Sequence, residues 1–346
     1  MQKWITKASI AQAAGVSPSA VSLVLNGRPH TLAPATAEKI RETAKRMGYW
    51  DAPNVSVKIV ALIAQERQFF DSVADVFQRV ARAATREFEE HDYHILTCFL
   101  AAANGGEPRL PRVLREGGVD GFLAVVPVPW GYGLLRDAVE RLEMKAVTAL
   151  RSHDETDLMG WVTTDERAAA AEAVERVVAL GHTRVALTSA LCSQSPVAAV
   201  RLAAYREALE SHGIDVPEKW IADGDWMQEE GRRAVKELLS AGGGGGEPPT
   251  VIICANDWHA LGAMEAARQK GMSVPGDLSV VGYDAVEFAM ERAEPSLATV
   301  AQDFEGVGRA SAQALMDWIE GRTDGAPTKL IPASFTDGDS LGPPRE

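Results

Sequence analysis

Residues 11–27 read AQAAGVSPSAVSLVLNG. Gly15 can adopt the positive φ that a sharp turn after a first helix requires. Ser17 is a plausible N-cap for a second helix, with Pro18 at the first helical position, where its missing N–H costs nothing. Asn26 and Gly27 are typical of a helix end. Helix, tight glycine turn and helix together predict a helix-turn-helix.

The flanking residues extend this prediction to a small all-α head. Thr6 is a plausible N-cap for the first helix, whose apolar positions are Ile10, Ala11 and Ala14. A third helix is predicted from near Pro34 to Met47.

In a helix-turn-helix, the N-terminal side chains of the second helix meet base edges in the major groove. Short hydroxyl and amide side chains suit phosphates, which position the protein without specifying sequence. From spacing alone, a three-helix bundle without a DNA role remains the alternative. The predicted DNA-binding residues are Thr6, Ser17, Pro18, Ser19, Ala20, Ser22, Leu23, Asn26 and His30.

The charge of the chain is divided unevenly. Its 346 residues, enough for two or three domains, have a net charge of -13, which taken alone argues against a nucleic-acid partner. Residues 1–50 nevertheless contain seven lysines and arginines against two glutamates, a net charge of +5, which leaves −18 for the remainder. A basic head on an acidic body is compatible with DNA binding through the head alone.

Composition indicates a cytoplasmic, nucleoid-associated protein without metal or cofactor. The three cysteines form no C-x-x-C pair, which fits a reducing compartment. We find no apolar run long enough for a signal peptide or membrane span, and no hydrolase, zinc-protease or dinucleotide-binding motif. We therefore expect neither a membrane partner nor an enzyme.

Beyond residue 58, short apolar runs alternate with amphipathic helical stretches. This alternation is typical of βαβ units with a parallel sheet, and two such halves would place a ligand in the cleft between them. The predicted strands include Ile59–Ala64, Gly121–Val126, Ala146–Leu150, Val185–Thr188, Val251–Ala255 and Ser279–Tyr283.

Several motifs in chain order resemble the lactose-repressor and galactose-repressor family. They are AGVSPSAVSLVLNG at 14–27, LGHTRVA at 180–186, RLAAY at 201–205, GDW at 224–226, ANDWHALG at 255–262 and VPGDLSVVGYD at 274–284. The resemblance implies a small all-α helix-turn-helix head and an α/β periplasmic-binding-protein-like body of two Rossmann-like subdomains with a ligand cleft.

The resemblance also implies domain limits. The head is expected at 1–49, a short linker at 50–58, the effector-binding and dimerisation domain at 59–337 and a tail at 338–346. Within the body, we expect an N-subdomain at about 59–161 plus 292–325, and a C-subdomain at about 162–291 plus 326–337.

By resemblance, six residues fall at effector positions: Phe69, Phe70, Arg201, Trp226, Asn256 and Asp284. A sugar presents hydroxyls to such polar groups and C–H faces to such aromatic rings. Two plainer interpretations stay open, since Arg201 could simply pair with a carboxylate, and Trp226 or Phe70 could be core. Leu150 and Ala285 stand where many relatives carry aspartate.

Two further departures concern DNA binding. Leu23 replaces the usual arginine, and the nine residues 50–58 contain no leucine but include the helix breakers Pro53 and Asn54. Relatives wedge a hinge-helix leucine into the minor groove at this point. We therefore expect operator binding without a hinge helix, with coupling through the spacing of the two heads.

Together these features predict a homodimeric repressor that binds double-stranded operator DNA under the control of a sugar-like effector. Two alternatives remain. One is a sugar-binding receptor-like protein, which would not need the head. The other is an α/β enzyme acting on carbohydrate, which would need a nucleophile or an acid–base pair in the cleft.

Overall fold

The computed structural model describes residues 6–25, 32–47, 49, 58–65, 75–100, 112–115, 118–125, 129–151, 158–190, 195–241 and 247–345. The chain divides into two compact units, the head (Met1–Val57) and the body (Lys58–Glu346). Four predicted site residues lie outside the described residues: Asn26, His30, Phe69 and Phe70. The linker, except for Lys58, also lies outside the described residues. The absence of a hinge helix therefore stays a prediction.

The head contains the three predicted helices, α1 (Lys7–Ala14), α2 (Pro18–Leu25) and α3 (Pro34–Arg46). The Thr6 hydroxyl accepts a hydrogen bond from the Ser9 amide (3.2 Å), and the Ser9 hydroxyl accepts one from the Thr6 amide (2.9 Å). This reciprocal capping box satisfies two amides at the start of α1. Gly15 then ends α1 with a φ of +68°. The helix cap at Thr6 and the glycine turn at Gly15, both predicted from the sequence, are therefore present in the structure.

Apolar side chains from all three helices form the core of the head. It consists of Ile10, Ala11, Ala14, Ala20, Val21, Val24, Ala37, Ile40 and Ala44. The prediction that Ala20 contacts a base is wrong, because its side chain is only 7% exposed and packs in this core. Sequence spacing alone could not show that Ala20 lies on the inner face of α2.

The body alternates strands and helices as predicted. Its strands are β1 (Ile59–Gln65), β2 (His94–Leu100), β3 (Gly121–Val125), β4 (Lys145–Ala149), β5 (Gly160–Thr164), β6 (Val185–Ala190), β7 (Ile221–Gly224), β8 (Val251–Ile253), β9 (Ser279–Asp284), β10 (Ala298–Ala301), β11 (Thr328–Ile331) and β12 (Ser334–Thr336). Its helices are α4 (Asp75–Glu90), α5 (Arg112–Arg115), α6 (Pro129–Leu142), α7 (Glu166–Ala179), α8 (Pro196–Ser211), α9 (Gln228–Ala241), α10 (Asp257–Gln269), α11 (Glu287–Arg292) and α12 (Phe304–Ile319), with a 3₁₀ turn at Glu218–Trp220.

The strands form two six-stranded sheets. The first has the order β11-β5-β4-β3-β1-β2 and is parallel throughout. The second has the order β12-β10-β9-β8-β6-β7, and only its edge strand β12 is antiparallel. Every residue of β3 and of β6 is buried, as expected for strands covered by helices on both faces.

The sheet pairings correct the predicted subdomain limits. β10 belongs to the second sheet, although 292–325 was assigned to the N-subdomain. β11 belongs to the first sheet, although 326–337 was assigned to the C-subdomain, and β5 extends the N-subdomain to Thr164. The chain therefore passes between the sheets near Asp165, Gln302 and Pro332. Hydrophobic pattern identifies a strand, whereas hydrogen-bond partners assign it to a sheet.

Close packing of α4 against α12 holds the segment after the second crossing, near Gln302, against the first sheet. Val80, Phe88, Phe304 and Leu315 are fully buried in their shared core. Gly308 permits this approach, because a Cβ there would lie 2.3 Å from the Val80 carbonyl oxygen.

The tail is built into the second sheet. The buried Ser340 hydroxyl donates to the Val280 carbonyl (2.7 Å) and accepts from the Ala298 amide (2.9 Å). His182, from the LGH motif, is buried with Nε2 2.8 Å from the Gly342 carbonyl. Burial lowers the pKa of His182, so its role is a neutral structural contact.

Among the described residues, no single helix is long and apolar enough to cross a membrane. The pair α1 and α2 meets the length and composition criterion together, but it is bent by 109°.

Candidate functional site

A cavity of about 240 Å³, called here the cleft cavity, lies at the carboxyl ends of strands from both sheets. This is where ligands bind in open α/β sheets. It is lined by Val76, Phe77, Ala149, Leu150, Arg151, Thr163, Ser195, Pro196, Val197, Arg201, Asp225, Trp226, Met227, Asn256, Trp258, Asp284, Val286 and Gln302. The structure thus brings together the predicted residues Arg201, Trp226, Asn256 and Asp284.

Arg201 makes hydrogen bonds to other groups of the protein that use three of its N–H donors. Its Nε and Nη2 donate to the two oxygens of Glu166 (2.9 and 3.0 Å), and its Nη1 donates to the Ala255 carbonyl (2.7 Å). The ring of Tyr283 lies 3.5 Å from the guanidinium. Burial opposes the charge of Arg201, but the attraction of Glu166 outweighs it and raises the pKa. The plainer interpretation of Arg201, a carboxylate pair, is therefore confirmed, although the side chain also lines the cavity.

Asn256 acts in two structural contacts at the cavity wall. Its Oδ1 caps α10 by accepting from the His259 amide (2.8 Å), as expected of an N-cap asparagine. Its Nδ2 donates to the carbonyl of Trp226 (2.9 Å). Asn256 thereby fixes the segment that carries the Trp226 ring, so it positions one cavity residue while lining the cavity itself.

Asp284 is the carboxylate of the cleft cavity. It ends β9 with a φ of +107°, and its Oδ1 accepts a hydrogen bond from Nε2 of Gln302 (2.6 Å). Desolvation raises the pKa of Asp284 to about 6, against the opposing attraction of Arg201. A carboxylate with this environment can accept hydrogen bonds from ligand hydroxyls when ionised.

Asp257, from the AND motif, is structural. It is fully buried, its Oδ1 accepts from the Thr299 hydroxyl (2.6 Å), and its Oδ2 accepts from the Val286 amide (2.8 Å). Burial raises the pKa of Asp257 to about 8. These bonds join α10 to β10 and to the segment before α11, so Asp257 supports the floor beside Asp284.

Aromatic rings form much of the remaining wall. Trp226 and Trp258 both line the cavity, and Trp258 stacks on Phe288 with ring centroids 4.6 Å apart. Trp161 is not among the residues that line the cavity. Leu150 adds a further apolar surface.

Sequence reasoning missed several lining residues. Gln302 follows β10, which is too short to be recognised from hydrophobic pattern, and Ser195 precedes α8 at its N-cap. Phe77 lies in the first turn of α4, and Arg151 follows β4. All four residues lie near the end of a strand or the start of a helix. Such a position can be recognised only once the strands are known.

The head presents its predicted DNA contacts as follows. Thr6, Ser17, Pro18 and Ser19 are exposed, while Ser22 and Leu23 are half-buried. The Ser17 hydroxyl accepts from the Ala20 amide (3.2 Å) and so caps α2. Apart from Ala20, the described members of the predicted set are therefore accessible to a partner.

Comparisons with known proteins agree with both parts of the chain. Residues 174–341 match the family model of the periplasmic binding protein-like domain. Catabolite control protein A of Priestia megaterium is 26% identical over 324 residues, covering 92% of this chain and 94% of that protein. The repressor CytR of Escherichia coli, described as an HTH-type transcriptional repressor, is 28% identical over 335 residues, covering 94% and 93%.

One solved structure is similar over nearly the whole length. The complex of the transcriptional regulator CelR with cellobiose superposes with a TM-score of 0.69 at 26% identity, covering 98% of this chain and 100% of that one. CytR and CelR, which match nearly the whole chain, are named as a transcriptional repressor and a transcriptional regulator. This chain is similar over most of its length to HTH-type transcriptional regulators, which agrees with its resemblance to the lactose-repressor and galactose-repressor family.

Proposed function

We propose that the protein is a homodimeric cytoplasmic repressor whose operator binding is controlled by a sugar or sugar derivative in the cleft cavity. The observation that carries this proposal is the convergence of Arg201, Trp226, Asn256 and Asp284 on one cavity between two sheets. The solved complex of CelR with cellobiose supports a carbohydrate as the class of ligand.

The chemistry of the wall suits a compact sugar. Asp284 offers an acceptor, Trp226 and Trp258 offer planes for C–H faces, and Gln302 orients the carboxylate. A volume of about 240 Å³ equals that of about eight liquid water molecules and is below the ~300–1,000 Å³ of typical ligand pockets. We therefore expect a monosaccharide or a derivative of similar size.

The effector residues divide by role. Asp284 and Trp226 contact the ligand directly, whereas Asn256 positions Trp226 and caps α10. Arg201 contributes through the N–H groups that Glu166 and Ala255 leave unused. Phe69 and Phe70 remain proposed contacts on the resemblance alone.

The head binds operator DNA. Thr6, Ser17 and Ser22 contact phosphates, and Pro18, Ser19 and Leu23 face base edges. Asn26 is a proposed phosphate contact because its short amide side chain is a suitable donor, and His30 is a proposed DNA contact. A two-fold dimer would place two such heads on half-sites about one helical turn apart. The effector would then act by changing how the two heads are spaced.

Genomic footprinting of the purified full chain, with and without a panel of sugars and sugar phosphates, tests the proposal. We expect salt-sensitive, site-specific protection that one compact sugar weakens. Asp284→Asn should raise the sugar concentration that the response requires about tenfold, and it should leave protection in the absence of sugar unchanged. Asp215→Asn, at an exposed position of the body, is the matched control. Protection that no sugar changes would exclude the effector assignment, and absence of protection would exclude the operator assignment.

A further inference from the structure

The face that α2 turns away from the head core has no side chain for bidentate base recognition. Ala20, Val21 and Val24 point into the core, whereas Ser19, Ser22 and Leu23 follow i, i+3, i+4 spacing on the other side. From Ser17 to Leu25 the sequence contains no arginine, lysine, asparagine, glutamine or acidic residue. Those are the side chains that form paired hydrogen bonds with guanine, adenine or cytosine.

The hydroxyls near the start of α2 add little base discrimination. Ser17 Oγ caps the helix by accepting from the Ala20 amide (3.2 Å), and it lies 2.9 Å from Ser19 Oγ. These two hydroxyls are therefore held against each other and the backbone. A serine hydroxyl can also bond to more than one kind of base, so it specifies sequence poorly.

Leu23 is the large apolar side chain of this face. Val16, Leu25, Leu32, Met47 and Tyr49 pack against the core of the head as partly buried residues, and Leu23 is not one of those packed there among the described residues. The thymine C5-methyl is the apolar group that the major groove offers on a base edge. Burial of apolar surface on both partners would make this contact favourable.

We propose that Leu23 is a specificity-determining residue that reads the operator by packing on a thymine methyl group. The inference rests on the proposed function, because it requires α2 to lie in the major groove. The positive charge of the head supplies sequence-independent attraction to phosphates, and the Leu23 contact supplies the preference for thymine at one position of each half-site.

Replacing thymine by deoxyuridine tests this contact, since deoxyuridine pairs identically and lacks only the methyl. An operator is first selected from random duplexes with the full chain. Each thymine of its half-site is then replaced singly, and the dissociation constant is measured by fluorescence anisotropy. At one symmetric position we expect binding to weaken about fourfold for one half-site and about fifteenfold for both.

Variants of the full chain connect this effect to Leu23. Leu23→Ala should bind the thymine and deoxyuridine operators equally, and Leu23→Met should keep most of the discrimination. Leu180→Ala makes the same change at an exposed leucine of the body and should keep all of it. The far-ultraviolet circular dichroism of each variant checks that the head is folded.

Two outcomes would overturn the inference without touching the proposed function. One is site-specific binding in which no deoxyuridine replacement weakens affinity. The other is a thymine preference that Leu23→Ala preserves. If no selected operator is bound in a site-specific way, the proposed function itself fails.

Discussion

At the residue scale, the pair of Arg201 and Glu166 shows how a predicted ligand contact can also be part of the core. Both side chains are buried, and the Tyr283 hydroxyl donates a further hydrogen bond to Glu166 (2.7 Å). A buried cation that loses its carboxylate partner has neither solvent nor counter-charge to stabilise it. The pair therefore links the start of α7 to α8 beneath the cavity.

We expect Glu166→Gln to lower the free energy of unfolding of the body by about 3 kcal/mol, because it leaves the Arg201 charge buried without its counter-charge. Urea denaturation followed by tryptophan fluorescence measures this change. The double variant Glu166→Gln, Arg201→Met should regain most of the lost stability, since Arg201→Met removes the buried charge that Glu166→Gln leaves without a partner. Equal stability of Glu166→Gln and the unchanged chain would contradict the prediction.

We expect Asp284 to make effector binding dependent on pH. Its pKa of about 6 means that the carboxylate is mostly ionised at pH 7.5 and about one-tenth ionised at pH 5. Ligand hydroxyls donate more strongly to the ionised form. Effector affinity should therefore rise about tenfold from pH 5 to pH 7.5, as measured by calorimetry.

Asp284→Asn should remove most of this pH dependence, because the amide does not titrate. Arg201, Glu166, Arg79 and Asp257 are the charged groups that act on Asp284, and the Asp257→Asn variant reports the contribution of Asp257 to the pH dependence. An affinity that is constant over this pH range would show that the ionised Asp284 carboxylate is not an acceptor for the effector.

At the element scale, α3 begins without a side-chain cap. Its N-cap is Ala33, whereas Thr6 and Ser17 cap the other two helices of the head. Ala33→Ser supplies an oxygen for a free amide of the first turn and should stabilise α3 by about 1 kcal/mol. Hydrogen exchange measured by mass spectrometry on peptides from 34–46 should slow. Ala35→Ser, the same change inside the first turn, is the control and should not slow it.

Many strands of the body could be predicted from the sequence, and the strands that were missed share a cause. Continuous apolar runs identified β1, β3 and β6 because these strands are buried on both faces. β10 to β12 have four residues or fewer, and they are defined by pairing partners far along the chain. Gln302 was missed for the same reason.

The site residues likewise divide into those that local motifs could place and those whose contacts depend on distant parts of the chain. Motif spacing placed Asn256 and Asp284 correctly at strand ends, where they line the cavity. It could not reveal that Glu166, 35 residues before Arg201, would take up most of the guanidinium. Nor could it reveal the burial of Ala20. Long-range partners and helix orientation are properties of the packed structure and leave no local signal.

At the scale of the whole molecule, the uneven distribution of charge along the chain fits the proposed function. Residues 1–50 have a net charge of +5, while the remainder of the chain has −18. Phosphates attract the first and repel the second, so the acidic body should disfavour non-specific DNA contacts outside the heads. This arrangement matters more here because α2 has no cationic side chain of its own.

The salt dependence of operator binding tests this division of charge. Each neutralised phosphate contributes about −0.9 to the slope of log K against log salt concentration, so fourteen cations in two heads limit the slope to about −13. Lys45→Gln with Arg46→Gln removes two exposed charges at the end of α3 and should make the slope shallower. Lys219→Gln with Lys270→Gln removes two exposed charges of the body and should leave it unchanged. Anisotropy titrations from 50 to 200 mM potassium chloride measure both slopes. If the body variant flattened the slope as much as the head variant, the body would have to contact DNA, and the charge division would not separate the two roles.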